Sequence, residues 1–224
     1  MSEGIRVWDV PTRVFHWTLV LSFCGAFLTS ESERYRDIHV MLGYTILGLI
    51  VFRLLWGFIG TRYARFDSFL FTPGEVLGYV SDMVKGKARH FVGHNPAGSV
   101  SIWLLLLLAA GSGVSGVLLF QDIGGDAMEE LHEVLSFGML AVVAVHVAGV
   151  VVSSILHREN LLRAMITGTK SSEREQGAER SYIWLGVIML AVVVAFWAGY
   201  PAFSATPSGA VATHAGHHDD DDDD

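Results

Sequence analysis

Long apolar stretches free of Asp, Glu, Lys and Arg alternate along the chain with short charged segments. Each stretch approaches the roughly 20 residues that a helix needs to cross a bilayer. The first, VFHWTLVLSFCGAFLTS, lies between Arg13 and Glu31. No small-residue cleavage site follows it, and Trp17 and Phe23 suit a retained helix rather than a signal peptide. The second runs from about Ile38 to Gly60 and is broken only by Arg53. The third is SIWLLLLLAAGSGVSGVLLFQ, and the fourth, Val134 to His157, is uncharged throughout. The fifth runs from Tyr182 to Tyr200 and stops at Pro201, with Trp184 and Trp197 near its ends, where aromatic belts sit. This pattern predicts an all-α integral membrane protein: a four-helix bundle in residues 1–168 plus a fifth C-terminal transmembrane helix. The expected spans are about 14–30, 38–60, 99–121, 132–157 and 182–200, with a linker at 169–181 and a tail at 201–224.

Composition agrees with the pattern. Hydrophobic residues make up 51% of the chain and charged residues 17%, against roughly 25% charged in soluble domains. A single cysteine, Cys24, excludes a disulfide scaffold, a cysteine zinc site and covalent CxxCH haem attachment. The net charge of −8 is dominated by the terminal run Asp219–Asp224 and gives no support to nucleic-acid binding. Basic residues set the orientation by the positive-inside rule. With the N-terminus inside, Arg6, Arg13, Arg62, Arg65, Lys85, Lys87, Arg89, Arg158, Arg163, Lys170, Arg174 and Arg180 all fall on the cytoplasmic side. The opposite side carries only Arg34 and Arg36. The expected location is a bacterial inner membrane, multi-pass, with the C-terminal tail in the periplasm. Between the second and third spans, Thr72, Pro73 and Glu75 form a helix-start pattern. Val76, Leu77, Val80 and Val84 follow as an apolar stripe suited to a surface helix.

Histidine placement carries the chemistry. Ionisable side chains inside a bilayer are costly and mark function by default, and imidazole is a common axial haem ligand. His132 and His146 lie fourteen residues apart on the fourth span, a rise of about 21 Å that returns to within roughly 40° of the same helix face. Depth then pairs His16 with His146 on the cytoplasmic side and His39 with His132 on the periplasmic side. Two such bis-histidine sites match two non-covalent b-type haems, making the four-helix unit a haem-binding bundle. Arg53, fourteen residues after His39, shares that helix face one leaflet deeper. It either meets a propionate of the cytoplasmic-side haem or snorkels to the headgroups. His90, His94 and His157 sit at the cytoplasmic margin and read as interfacial, His94 with the further option of bonding a propionate or a quinone. The glycines of GSGVSG read as helix packing.

VWDVPTRVFHWTLV, DIHVMLGYTILGLIVFRLLWG, GHNPAGS and the stretch from ELHEVLSFG to RAMITG together resemble the bacterial cytochrome b561 family, in particular the b-type cytochrome subunits of nickel–iron hydrogenases. The resemblance extends from about residue 6 to 168. It implies an electron-transfer subunit rather than a stand-alone enzyme, with two b haems. Electrons would pass between a quinone and a periplasmic partner, a c-type cytochrome or a dehydrogenase or hydrogenase subunit. The fifth helix lies outside that pattern. In the tail, His214, His217, His218 and the Asp run could chelate a divalent metal weakly, attract a basic cytochrome, or simply keep the tail solvated. Two alternatives stand beside this reading. One is a superoxide:quinone oxidoreductase on the same fold, against which Glu31, Glu33, Asp37, Glu129 and Glu130 crowd the periplasmic face. The other is a non-redox membrane metal-binding protein or carrier.

Overall fold

The computed structural model describes residues 4–171, 177–178 and 180–204. Helix α1 (Val10–Thr29) starts at Asp9, whose carboxylate accepts the Thr12 N–H at 2.8 Å. Pro11 occupies its first turn, where a missing N–H goes unnoticed. A short turn leads into α2 (Arg36–Ile59), which runs back along α1: Phe15 lies near Phe52, and Gly25 lies against Leu42. Helix α3 (Pro73–Val84) opens with the reciprocal Thr72–Glu75 capping box that its sequence predicts. Helix α4 (Pro96–Phe120) is capped by Asn95, and α5 (Gly125–His157) is entered through Gly124 at φ 97°. These two also form an antiparallel pair, with Gly111 against Leu135 and Gly116 against His132. A short α6 (Leu161–Thr167) and strand β2 (Thr169–Ser171) follow. Strand β2 pairs with β1 (Gly4–Arg6), in the register Ile5 to Lys170, and so ties the N-terminus to the linker.

Helix α7 (Ile183–Ser204) packs on α1 and α2. Gly186 lies against Val10, and the Trp197 indole N–H donates to Thr45 Oγ1 at 2.9 Å. The helix continues through Pro201; so near its C-terminal end the missing N–H removes little of the ladder.

Among the described residues, four helical stretches are long and apolar enough to cross a membrane: Glu33–Ile59, Pro96–Phe120, Gly125–His157 and Ile183–Pro201. Helix α1 falls short because Thr12, Arg13, His16, Thr18 and Ser22 dilute its apolar run. It lies within the bundle all the same, packed on α2 and α7. The core is built from Phe15, Leu42, Ile46, Leu49, Phe66, Phe69, Leu106, Ala109 and Met139. Helix α5 packs chiefly on α4 and meets α1 and α2 through side chains, Phe27 against Phe137 and His39 against His132.

Candidate functional site

At the end of the bundle holding the α1–α2 and α4–α5 turns, His39 on α2 faces His132 on α5. Their ring centroids are 6.2 Å apart and the ring planes nearly perpendicular, at 77°. His39 Nδ1–H donates to Ala26 O at 2.8 Å, and His132 Nδ1–H donates to Ser112 O at 2.9 Å. A carbonyl can only accept, so each bond fixes the proton on Nδ1 and leaves the Nε2 lone pair available. Two imidazoles holding one metal at about 2 Å each place their centroids roughly 6 Å apart. The observed spacing meets that figure and is also ordinary for an edge-to-face ring pair. Gly116 makes room for this arrangement, since a Cβ there would lie 3.0 Å from His132 Cε1. The α4 glycines thus serve the ring on α5 as well as helix packing.

The N-terminal end gathers a different set. His16 on α1 and His146 on α5 interact electrostatically, and His16 Nδ1 is buried without a hydrogen-bond partner. Arg53 on α2 is 4% exposed, and its Nη1 also lacks a partner. Its guanidinium lies over the Phe66 and Phe69 rings, at 5.0 and 5.7 Å from their centroids. Arg13 donates through Nη1 to Ile166 O, while its Nε is unpartnered. His94, expected at the cytoplasmic margin, is packed inside the protein rather than exposed. It sits between Trp8 and Phe69, at centroid distances of 4.7 and 4.6 Å, with Nδ1 buried and unpartnered. Burial pushes its imidazole down to about 3, and the positive charges of Arg53 and Lys170 add in the same direction. The sequence position of His94 beside charged loops hid this, because Trp8 and Phe69 come from distant segments.

Asp9, unremarked in the sequence, anchors this end. At 1% exposure it accepts from Trp56 Nε1 at 3.0 Å and Thr61 Oγ1 at 2.7 Å as well as capping α1. The Asp-Val-Pro-Thr run was its signal, a helix-start pattern immediately before the first span. At the margin, His90 and Lys170 both reach Glu159 Oε2 at 3.2 Å. The His157 ring lies 5.2 Å from that of His90. No cluster of three or more His, Cys, Asp or Glu suited to a metal ion occurs among the described residues. His214, His217 and His218 of the tail lie outside them.

Comparison with known proteins adds a family. The profile described as prokaryotic cytochrome b561 matches residues 7–168. A probable Ni/Fe-hydrogenase B-type cytochrome subunit of Rhizobium leguminosarum bv. viciae is 23% identical, over 75% of this chain and 89% of that protein. The protein of the same name from Azotobacter vinelandii is 24% identical, over 75% and 88%. No solved structure matches the chain.

Proposed function

The chain belongs to the prokaryotic cytochrome b561 family; it is a multi-pass membrane b-type cytochrome for electron transfer, and from that premise we propose a two-haem path through its bundle. His39 and His132 hold one haem b at the turn end, and His16 and His146 hold the second at the N-terminal end. The observation that carries this is the His39–His132 pair. Its rings stand 6.2 Å apart, with both Nδ1–H groups engaged on carbonyls. Haem b supplies one-electron chemistry at its iron. The protein's part is to hold, orient and shield. Carbonyls on α1 and α4 fix the two turn-end rings, and the apolar core keeps water out. Arg53, with a buried Nη1 lacking a protein partner, supplies a cationic donor for a propionate of the N-terminal-end haem.

With basic loops on the cytoplasmic side, the path connects a quinone in the inner membrane with a periplasmic redox protein. The relatives' names favour a hydrogenase subunit as that partner. The test is haem quantification with a reduced-minus-oxidised spectrum of the purified full-length chain. Two b-type haems per chain are expected. One haem, or a spectrum without a Soret band, overturns the proposal.

A further inference from the structure

The carbonyls that orient the turn-end histidines share a feature. Each also receives a side-chain hydroxyl from the residue three positions further on. On α1, Thr29 Oγ1 donates to Ala26 O at 3.1 Å; on α4, Ser115 Oγ donates to Ser112 O at 3.0 Å. The same oxygens accept His39 Nδ1–H and His132 Nδ1–H.

The two arrangements differ in strength. Ala26 lies in the last turn of α1, where the Ser30 N–H turns to Phe27 O instead. Its carbonyl is therefore one of the helix-end acceptors with no backbone partner. The Thr29 hydroxyl is moreover shared with Gly25 O, at a shorter 2.7 Å. Ser112 lies mid-helix, where its carbonyl already serves the helical ladder. Ser115 Oγ also lies 3.2 Å from His132 Nδ1 itself; with its own hydrogen on Ser112 O, it accepts a second, longer branch of the ring N–H bond. The neighbouring hydroxyl of Ser112 is occupied by Ser136 Oγ at 2.7 Å.

We propose that Ser115, and more weakly Thr29, are positioning residues that set the donor strength of His132 and His39 toward the iron they hold. The inference rests on the reading of those two histidines as axial ligands. An imidazole whose Nδ1–H gives a full hydrogen bond to a carbonyl becomes more basic at Nε2. A second donor on the same carbonyl draws away part of that acceptor strength. The ring becomes a poorer donor, and the reduced iron is favoured. Removing the Thr29 hydroxyl strengthens the His39 Nδ1–H bond and favours the oxidised iron, which lowers the reduction potential. Removing the Ser115 hydroxyl takes an acceptor from the His132 Nδ1–H itself, which favours the reduced iron; because it acts on the ring directly, its effect is the larger.

Redox titration of the purified, haem-loaded full chain reads this directly. The turn-end component is identified as the one lost in His39→Ala. In Ser115→Ala its reduced-to-oxidised ratio at fixed potential rises by about three- to tenfold, tenfold being about 59 mV for one electron. Thr29→Val lowers the ratio by about twofold, in the opposite direction. Ser115→Thr, which keeps a hydroxyl, stays near the parent value. The N-terminal-end component moves in none of them. An unchanged turn-end potential in Ser115→Ala with both haems bound overturns the proposal, as does an equal shift of both components. If His39→Ala retains both haems, the ligand reading itself has failed, a result visible before any potential is measured.

Discussion

The two ends of the bundle present histidine pairs in opposite states of satisfaction. At the turn end both Nδ1 atoms are bonded to carbonyls of neighbouring helices, and the ring centroids stand 6.2 Å apart. At the N-terminal end, His16 Nδ1, His94 Nδ1, Arg13 Nε and Arg53 Nη1 are all buried without partners. An unmet buried polar group costs about 1–3 kcal/mol, more when charged. The turn end thus holds its rings already oriented, whereas the N-terminal end keeps hydrogen-bonding capacity in reserve. That reserve fits an anionic partner, and haem carries its anionic propionates at one edge. The difference teaches that two sites related by helix periodicity need not be related in chemistry. The ends differ in what surrounds the rings.

Deleting one ligand from each end breaks the comparison most directly. His146→Ala takes the haem content from two to one by removing the N-terminal-end group, and the remaining signal keeps the parent turn-end potential. His39→Ala does the converse. Loss of both haems in either variant shows that the ends are a single cooperative unit. Pyridine haemochrome quantification with a redox titration reads both.

Arg53→Met comes next and sharpens the contrast through its sign. In the haem-loaded protein, losing a charged hydrogen-bond donor weakens N-terminal-end binding by about 1.5–3 kcal/mol, roughly ten- to a hundredfold, with the turn end unaffected. In the haem-free chain the same change removes a buried, incompletely satisfied cation, so thermal stability holds or rises. A loss of stability in both forms means that stacking on Phe66 and Phe69, rather than propionate binding, is the role of Arg53.

Gly116→Ala tests the other end. The added methyl meets His132 Cε1 at 3.0 Å and Nδ1 at 3.2 Å, and overpacking of this kind costs about 1–3 kcal/mol. The ring is pressed away from Ser112 O, so turn-end haem affinity falls while the N-terminal-end haem is retained. Equal loss at both ends marks a general packing defect of the α4–α5 pair.

How far these differences were legible in the sequence follows from the range of each interaction. Apolar run length and the fourteen-residue spacings are local and periodic, so the helical membrane fold could be read directly, and helix direction and depth put His39 opposite His132 before any coordinates. Ser115 and Thr29 carried no signal, because hydroxyl residues are common in apolar helices and their bonds stay within one turn. Their effect arises only when a second helix brings an imidazole to the same carbonyl. The packing of His94 was hidden for the opposite reason: its neighbours Trp8 and Phe69 lie far away in sequence, and pattern reading at the loop margin could not bring them over it. Arg53 lay between these cases. Its helix face was readable, but its burial under Phe66 and Phe69 depends on the turn after α2 folding back.

The smallest expected effect separates the ends by pH. Burial, with Arg53 and Lys170 adding to it, holds the folded-state pKa of His94 down at about 3, against 6.5 for the free side chain. The unfolded chain then binds the proton first as pH falls, so stability rises with pH across this window. Its contribution is intact above 6.5 and is lost progressively from there toward 3. Between pH 7.5 and 5.5 the haem-free chain loses about 1 kcal/mol through this one group. His94→Asn lacks that part of the slope, so the difference between the two unfolding profiles isolates it from the other histidines. A haem propionate beside His94 would favour the imidazolium, so loading would flatten the slope if the group lies there. A slope that survives both His94→Asn and loading belongs to another group, and the N-terminal end then has no special claim on protons.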